Sequence, residues 1–411
     1  MLRVIHDVLY NISIAFAILY VYHIIYHIIP IFKRNELPKQ TCKNYRYAIL
    51  IAARNEENVL PFLLESLKDQ SYDSNLYDIF VVADNCTDKT AQVAREGGAI
   101  SYERFNKDEV GKGYALNFLF QNIFEAKGYE YYDAYLIFDA DNLVDSNFLT
   151  EMNRVYNQGY DVITSYRNSK NYGDNWISAA YGLNFIRESI FLNASRMHLK
   201  SACFISGTGF LVSKEIIKEN NGWPYHLLTE DIQLTTDQVL KNRKIGYAAK
   251  AMLYDEQPTS FIQSYHQRLR WCKGFIQVFY QYGLELFLSL FKKNRNFSKF
   301  DMFMTLLPTM ISIFILPALG ITSLILLPMN TILKRLIYAY LSTVVLALLV
   351  VVSANKSIQA TLAKKIIHCF TYPIFMSTYI FISIIAMFKD VTWKPIQHAH
   401  TTSIYDYREE V

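Results

Sequence analysis

Five consecutive residues, Gln267-Arg268-Leu269-Arg270-Trp271, bring a carboxamide, two guanidinium groups and an indole together within about one and a half helical turns. Guanidinium groups bind phosphate oxygens in a bidentate manner, and an indole can stack on the apolar face of a sugar ring. The cluster therefore suits a pyrophosphate leaving group beside a sugar. An interfacial membrane anchor is the alternative, because Arg and Trp are also common where helices enter a bilayer.

Acidic residues follow two short apolar runs upstream. Asp84 comes directly after Ile79–Ala83, where its carboxylate could hold uracil or ribose hydroxyl groups. Asp139 and Asp141 follow Tyr135–Phe138, and their oxygen atoms suit Mg²⁺ or Mn²⁺ bridging a diphosphate. A helix N-cap near Asp84 and a simple turn at Asp139 are the structural alternatives.

A third acidic group, Thr229-Glu230-Asp231, follows a turn-rich stretch. Asp231 could take the proton from an attacking sugar hydroxyl, and His226 is the rival base. The structural alternative is helix N-terminal charge, since Thr229 can cap a helix and acids favour its first turn.

Three further segments carry candidate binding residues. Ala53-Arg54-Asn55-Glu56 ends the first predicted strand and forms a natural nucleotide-facing edge. Lys112 lies in Gly111-Lys112-Gly113, which lacks the spacing of a P-loop but could still reach a phosphate. Phe204-Ile205-Ser206-Gly207-Thr208 carries small residues that allow close approach of a substrate, or it forms a tight turn.

Alternating strands and helices between residues 45 and about 250 predict an α/β domain with a doubly wound sheet. Ligands bind at the carboxyl ends of the strands in such sheets, which is where these acids lie. The chain is 52% hydrophobic and 19% charged, so we expect one soluble domain and several membrane spans. A net charge of +4 gives no case for nucleic-acid binding, and five scattered cysteines indicate neither a zinc site nor a disulfide framework.

Uncharged stretches predict membrane spans at both ends of the chain. Val8–Phe32 is long enough to cross the bilayer, and the basic residues that follow it place the next domain in the cytosol. Met302–Leu333 exceeds one upright span and contains three prolines, so we expect it to tilt, kink or fold back. The side of the membrane that holds the C-terminal tail is left open. Two further stretches are Leu336–Asn355 and Ile366–Phe388, and residues 261–297 predict amphipathic interfacial helices.

Asp84, Asp139-x-Asp141, Thr229-Glu230-Asp231 and Gln267-x-x-Arg270-Trp271 follow the order and approximate spacing of a D, DxD, TED, QxxRW motif set. The chain thus resembles the membrane-bound processive family-2 glycosyltransferases, such as cellulose, other β-glucan, hyaluronan, chitin and poly-N-acetylglucosamine synthases. The resemblance covers residues 45–300 well and the spans loosely. It implies a GT-A fold with transmembrane and interfacial helices, a UDP-sugar donor, Mg²⁺ or Mn²⁺, and an inverting mechanism.

The resemblance also implies roles for individual residues. Asp231 is the expected general base, and Trp271 the platform for the acceptor sugar. The expected donor-site residues are Ala53, Arg54, Glu56, Asp84, Lys112, Asp139, Gln267 and Arg270, with Asp139 and Asp141 at the metal; the expected acceptor residues are Phe204, Ser206, Gly207, Thr208 and Glu230. Val391, Thr392 and Lys394 resemble a cytosolic gating loop, with a juxtamembrane tail as the alternative.

These expectations combine into one hypothesis. A UDP-sugar, with glucose favoured and N-acetylglucosamine next, is polymerised into a β-glucan (1,4-, 1,3- or mixed-linked) and secreted through the protein's own channel. The expected partners are the growing polysaccharide, the bilayer and accessory secretion proteins, at the plasma membrane with a cytosolic catalytic domain. The alternatives are a non-processive enzyme acting on a lipid, and a transporter or scaffold. The predicted divisions are residues 1–33, 45–255, 256–300, 301–388 and 389–411.

Overall fold

A computed structural model describes residues 1–32, 43–392, 398 and 400–409. The chain divides into two units, each with a hydrophobic core of its own. The sheet unit comprises Arg34–Lys170, Glu188–Glu256 and Trp393–Val411. The helical unit comprises Met1–Lys33, Asn171–Arg187 and Gln257–Thr392.

The strands all belong to the sheet unit. In chain order they are β1 (Tyr47–Ala53), β2 (Tyr77–Asp84), β3 (Ile100–Arg104), β4 (Ala134–Asp139), β5 (Leu143–Val144), β6 (Val162–Ser169), β7 (Phe210–Ser213) and β8 (Ile245–Asp255). Within the described ranges they form one eight-stranded sheet in the order β3-β2-β1-β4-β7-β6-β8-β5. The pairs β1–β2, β1–β4, β2–β3 and β6–β8 are parallel. Strand β7 is antiparallel to β4 and β6, and β5 is antiparallel to β8. The predicted α/β class with a mixed sheet is confirmed.

The central strands form where the sequence has apolar runs. Strands β1, β2 and β4 are buried along nearly their whole length, as parallel strands covered on both faces must be. Their register pairs Ala53 with Ala83 and Ala52 with Asp139, so their carboxyl ends meet at one edge of the sheet. Asp84 and Asp139, the last residues of β2 and β4, therefore lie at that edge with β1 between them.

Helices are numbered along the whole chain. The helical unit contains α1 (Leu2–Tyr20), α2 (Tyr22–Phe32), α7 (Trp176–Arg187), α11 (Phe261–Ser289), α12 (Phe297–Leu326), α13 (Met329–Ser353) and α14 (Leu362–Phe388). The sheet unit contains α3 (Leu60–Lys68), α4 (Thr90–Glu96), α5 (Lys112–Lys127), α6 (Phe148–Tyr156), α8 (Ala194–His198), α9 (Lys214–Glu219), α10 (Glu230–Leu240) and α15 (Ile404–Glu409), and a π-helical segment, Glu188–Asn193.

Four helical segments of the described chain are long and apolar enough to cross a membrane: Leu2–Phe32, α12, α13 and α14. The predicted span Val8–Phe32 is part of the first, which is interrupted by a turn at Val21. The predicted stretch Met302–Leu333 is divided between two helices, because α12 ends at Leu326 and Pro328 precedes the start of α13. Pro308 and Pro317 lie inside α12.

Two other boundaries differ from those expected. Residues 261–289 form the single long helix α11 where the sequence predicts several amphipathic helices. Helix α7 lies in the sequence of the predicted domain 45–255 but belongs to the helical unit, because it packs on α13 and α14. Its residues are almost all buried and have no amphipathic pattern that would separate it from a helix of the sheet domain.

Candidate active site

The acid at the end of β2 has a buried cationic partner. Nη1 of Arg104 donates to Oδ1 of Asp84 at 2.7 Å, and both side chains are almost fully buried. The parallel register of β2 and β3 places these two residues side by side at the carboxyl edge. Arg104 also pairs with Glu109. The pair fixes the orientation of Asp84, and sequence reasoning misses Arg104 because it belongs to no motif.

The predicted nucleotide-facing segment lies at the same edge. Ala53 is the buried last residue of β1, and Arg54 follows it half-buried. Asn55 adopts a left-handed conformation with φ 58°, which turns the chain out of the strand. The backbone N–H of Glu56 then donates to Oγ1 of Thr90 at 2.9 Å. The loops after β1 and β2 are thus joined.

The two acids after β4 have different surroundings. The side chain of Asp139 is 37% exposed, whereas that of Asp141 is 3% exposed and accepts from the backbone N–H of Glu256 at 3.1 Å. Asn142 stabilises the turn between them, because its Oδ1 accepts from the backbone N–H of Asp139. Oγ1 of Thr208 accepts from that same N–H at 2.9 Å and donates to Asn142 Oδ1 at 2.5 Å.

Lys112 connects Asp139 with the third acidic group. Its Nζ lies 2.5 Å from Asp139 Oδ1, 2.8 Å from the carbonyl oxygen of Gly207 and 3.9 Å from Glu230 Oε1. Burial alone would lower the pKa of Lys112, but Asp139, Glu230 and Asp231 together raise it. The ammonium group therefore stays charged, at a position between the two sets of acids.

The first turn of α10 carries Glu230 and Asp231. Glu230 is buried and Asp231 is half-buried. Thr229 precedes the helix, but its hydroxyl forms no capping hydrogen bond. A Cβ placed on Gly207 would lie 3.7 Å from Asp231 Oδ2, so the glycine brings the 204–208 loop against this carboxylate. The structure thus places Asp231 next to the loop that was predicted to meet the acceptor.

His226, the rival base, is stacked face to face on Tyr114, with ring centroids 4.2 Å apart. Burial lowers the pKa of His226, and Glu109 only partly offsets that effect. Its Nδ1 is buried and forms no hydrogen bond with the described residues. This packing favours a structural role for His226 over catalysis.

The 204–208 loop is held from several sides. The carboxamide of Asn193, at the end of the π-helical segment, bonds both backbone groups of Phe204, at 2.8 and 3.0 Å. Nη1 of Arg167 donates to the carbonyl oxygen of Ser206 at 2.8 Å. Thr208 is buried and faces the Asp139–Asn142 turn. Its hydroxyl therefore holds the turn that carries Asp139 and Asp141.

Residues near the C-terminus return to this edge of the sheet. Nδ1 of His398 lies 3.0 Å from Glu56 Oε1, and its Nε2 lies 3.9 Å from Asp141 Oδ2. Burial would lower the pKa of His398, but Asp141 and Glu56 raise it to about 10. Tyr407 anchors the following segment, because its hydroxyl donates to the carbonyl oxygen of Ser169 at 3.0 Å. No sequence motif marks His398.

The oxygen donors of Asp139 and Asp141 fit the predicted divalent cation, because Mg²⁺ and Mn²⁺ prefer such ligands. These two aspartates also add negative charge around Glu56. Burial raises the pKa of Glu56, and Asp141 and Asp139 raise it further. In the part of the chain that the structure describes, no group of three or more His, Cys, Asp or Glu is arranged to hold a metal ion.

Gln267, Arg270 and Trp271 lie on α11 in the helical unit, at positions i, i+3 and i+4 of one helix face. The indole of Trp271 is edge-on to Tyr181 and Phe185 of α7, with ring centroids 5.6 and 6.0 Å apart. An aromatic cluster therefore surrounds this side chain, and the sequence motif alone gives no sign of it.

Arg268, between the motif residues, packs on α14. It is fully buried, its guanidinium lies 4.1 Å from the ring centroid of Phe375, and it donates to Thr378 Oγ1. This contact joins α11 to α14, which gives Arg268 a packing role in the helical unit. Of the predicted gating-loop residues, Val391 packs on the core of the helical unit and Thr392 is exposed, while Lys394 lies outside the described residues.

The family described as "Glycosyltransferase like family 2" matches residues 45–274, which is more than half of the chain. The chain therefore belongs to this family and is a glycosyltransferase. The match contains all the acidic motifs and the Gln267–Trp271 cluster. The membrane-compatible helices lie on both sides of the matched region.

Two individual relatives share less than a third of their aligned residues with this chain. The β-monoglucosyldiacylglycerol synthase of Nostoc sp. (strain PCC 7120) is 28% identical over 290 residues, which cover 68% of this chain and 58% of that protein. The poly-β-1,6-N-acetyl-D-glucosamine synthase of Staphylococcus aureus (strain MW2) is 23% identical over 270 residues, covering 64% and 61%. This chain thus spans only about three-fifths of the length of either relative.

Among solved structures, the mannosyltransferase PcManGT from Pyrobaculum calidifontis, in complex with GDP-Man and Mn²⁺, superposes with a TM-score of 0.60. It covers 94% of this chain and 98% of its own, at 13% identity. Identity at this level shows the fold alone. Together with the family match, it confirms the predicted GT-A class for the sheet unit.

Proposed function

We propose that this glycosyltransferase transfers glucose from UDP-glucose to a hydroxyl group of a membrane lipid, with inversion at the anomeric carbon. The position of Lys112 carries the proposal. Its ammonium group lies within 4 Å of both Asp139, at the donor edge, and Glu230, beside Asp231. A donor diphosphate and a base acting on an acceptor must lie close together, and Lys112 contacts both Asp139 and Glu230, the neighbour of the proposed base.

The donor side is built from the carboxyl ends of β1, β2 and β4. Asp84, oriented by Arg104, would accept hydrogen bonds from the uridine, and Lys112 would exchange Asp139 for a phosphate oxygen. Asp139 and Asp141 would hold Mg²⁺ or Mn²⁺, which neutralises charge on the departing diphosphate. The family resemblance adds Gln267 and Arg270 as further diphosphate contacts and Trp271 as the acceptor platform.

The acceptor side centres on Asp231. Its carboxylate would take the proton of the acceptor hydroxyl as that oxygen attacks the anomeric carbon from the face opposite UDP. Attack from that face converts an α-linked donor into a β-linked product. The buried Glu230 and the Gly207 backbone would hold Asp231 in place, and charge from Lys112 would favour its ionised form.

Two observations support a lipid acceptor. Four segments of the described chain can cross a membrane, and relatives that match over two-thirds of this chain are named as synthases of β-monoglucosyldiacylglycerol. A diacylglycerol presents one free hydroxyl group at the membrane surface, which is the chemistry that Asp231 would act on. The basic residues after the first span support a cytosolic orientation of the sheet unit.

A processive polysaccharide synthase of the plasma membrane is the second candidate. The Gln267-x-x-Arg270-Trp271 motif favours it, as does the similarity to a protein named as a poly-N-acetylglucosamine synthase. In this version Trp271 would hold the growing chain end, the product would be a β-glucan or a β-linked N-acetylglucosamine polymer, and accessory proteins could complete its export.

Product size separates the two candidates. The purified full chain in nanodiscs, with Mn²⁺ or Mg²⁺, is supplied with radiolabelled UDP-glucose or UDP-N-acetylglucosamine, with and without diacylglycerol. We expect one glucosylated lipid that appears only with UDP-glucose and diacylglycerol. A ladder or an immobile polymer would establish the second candidate, and the absence of transfer from either donor would reject both.

The role of Asp231 has its own test. We expect Asp231→Asn to bind UDP as the wild type does and to lose transfer by roughly 10²-fold or more, the usual contribution of a general base. Asp237→Asn on the same helix is the matched control, because Asp237 instead accepts from Tyr225 and pairs with Lys241. Transfer by Asp231→Asn at the wild-type rate would exclude Asp231 as the base.

A further inference from the structure

Two cationic side chains donate hydrogen bonds to consecutive carbonyl oxygens of the 204–208 loop. Nη1 of Arg167 lies 2.8 Å from the carbonyl oxygen of Ser206, and Nζ of Lys112 lies 2.8 Å from that of Gly207. Each cation is also paired with a carboxylate at the end of a strand: Arg167 with Asp255, and Lys112 with Asp139. The Ser206–Gly207 segment is thus fixed to β4, β6 and β8 at once.

Arg167 links the carboxyl ends of β6 and β8 to this loop. It lies near the carboxyl end of β6, and its Nε and Nη2 both donate to Oδ2 of Asp255, the last residue of β8. The other oxygen of Asp255 accepts from Nδ2 of Asn142 at 3.2 Å. The pair therefore reaches the Asp139–Asn142 turn on one side and the Ser206 carbonyl on the other.

The charge environment keeps Arg167 cationic. Burial would lower the pKa of its guanidinium, but Asp255, Asp139 and Asp141 raise it. A buried ion pair adds little net stability compared with apolar packing, because both charges lose their hydration. Its planar, fork-shaped hydrogen bonds instead fix directions, which a Lys side chain in the same place could not do.

The loop that Arg167 holds lies against the predicted base. Gly207 has φ 76°, a conformation in which most side chains are strained. A Cβ at that position would lie 3.5 Å from Arg167 Nη1 and 3.7 Å from Asp231 Oδ2. The guanidinium and the carboxylate therefore approach the same side of Gly207, so a shift of the Ser206–Gly207 peptide would disturb the packing of Asp231.

We propose that Arg167 is a positioning residue for the transfer step, which holds the Ser206–Gly207 peptide so that Asp231 keeps its orientation towards the acceptor. Asp255 is its partner, and fixes the plane of the guanidinium. Arg167 acts through the loop and need not touch either substrate. The inference rests on the proposed function, in which Asp231 is the base.

The test compares Arg167→Lys with Arg243→Lys in the full chain in nanodiscs. Arg243 is the matched control, because it also pairs with two acids, Glu219 and Asp161, but at the opposite end of the β6–β8 pair. For Arg167→Lys we expect kcat to fall roughly 10²-fold, the usual effect of misplacing a catalytic group by about 1 Å. The KM for UDP-glucose and the Kd for UDP should stay within about threefold. Arg243→Lys should match the wild type in all three.

A second variant separates a positioning effect from a loss of folded protein. Asp255→Asn keeps the shape of the side chain and can accept one hydrogen bond from Arg167, so we expect an intermediate loss of kcat and a Tm near that of the wild type. A wild-type kcat in Arg167→Lys would overturn the proposal. So would losses in kcat and UDP binding that both follow the fraction of folded protein, since those indicate a structural role alone.

Failure of the proposed function gives a different result. In that case the wild type itself forms no glucosyl lipid, and the same variants are compared by UDP release with whichever donor and acceptor the wild type uses. Equal kcat values for wild type and Arg167→Lys in that assay would still overturn the positioning role.

Discussion

Lys112 and Asp139 form an ion pair at 2.5 Å that joins the start of α5 to the end of β4. The pair brings together one residue from a DxD motif and one from a Gly-Lys-Gly segment with no recognised motif. Glu230 lies 3.9 Å from the same ammonium group, so Lys112 contacts acids from both β4 and α10.

We expect Lys112→Met to lower kcat/KM for UDP-glucose by roughly 10²- to 10³-fold, because a preorganised cation facing the leaving group is lost. Steady-state assays of glucosyl-lipid formation measure the effect. Lys214→Met is the control, since Lys214 pairs with Glu130 on the surface and should leave kcat/KM unchanged. An unchanged kcat/KM in Lys112→Met would remove Lys112 from the donor site.

Gly113 controls how closely α5 approaches the loop before α10. A Cβ on Gly113 would lie 2.0 Å from the carbonyl oxygen of Tyr225 and 3.1 Å from Nδ1 of His226. We expect Gly113→Ala to cost about 1–3 kcal/mol of unfolding free energy, as overpacked sites do, and to lower kcat because Lys112 moves with the helix. Thermal unfolding and the transfer assay measure the two effects.

Gly128, at the other end of α5, provides the control. It has φ 76°, and a Cβ placed there would meet no atom within 4 Å, so Gly128→Ala should cost about 1 kcal/mol from backbone strain alone. Its kcat should equal that of the wild type. Equal kcat values for Gly113→Ala and Gly128→Ala would show that the approach of α5 does not position Lys112.

The sequence is informative wherever a buried strand ends in an acid. The apolar runs before Asp84 and Asp139 predict β2 and β4, and parallel strands necessarily bring their carboxyl ends to one edge. Partners supplied by other strands leave no such trace. Arg104, Arg167 and Asp255 reach the site through the pairing of β2 with β3 and of β6 with β8, and a single charged residue at a strand end has many possible partners.

Helix boundaries in apolar sequence show the same limit. Met302–Leu333 has no charged residue, so its pattern predicts a break at one of its prolines without showing that α12 ends at Leu326. The break follows from backbone geometry, because Pro328 disfavours helical conformation at the residue before it and is the N-cap of the next helix. Prolines 308 and 317 in the same stretch are tolerated inside α12, so proline alone does not decide the boundary.

Thr208 tests whether the 204–208 loop serves the donor or the acceptor. Its hydroxyl bonds the backbone N–H of Asp139 and Oδ1 of Asn142. We expect Thr208→Val to cost about 1–3 kcal/mol of stability, because buried polar groups lose a partner, and to weaken UDP–Mn²⁺ binding measured by calorimetry. Thr236→Val is the control, because the hydroxyl it removes donates to the carbonyl oxygen of Ile232 within α10. A rise in the KM for lipid with unchanged UDP binding would instead assign Thr208 to the acceptor.

His226 predicts an acid-sensitive stability. Its pKa in the folded protein is lowered by burial, below an unfolded value of about 6.5. The folded state therefore binds fewer protons than the unfolded state near this pH. The stability contributed by the neutral ring is complete above about pH 6.5 and is lost as the pH falls towards the folded pKa.

We expect the Tm of the wild type to fall more steeply than that of His226→Phe between about pH 6.5 and 5, the range just below the reference pKa of about 6.5. Phenylalanine keeps the stack on Tyr114 and removes the buried Nδ1 that has no hydrogen bond in the described chain. His266→Phe, at an exposed position, should follow the wild-type curve. Glucosyl transfer at pH 7.5 should persist in His226→Phe, because Asp231 is the proposed base; its loss in a variant with wild-type Tm would make His226 the base instead.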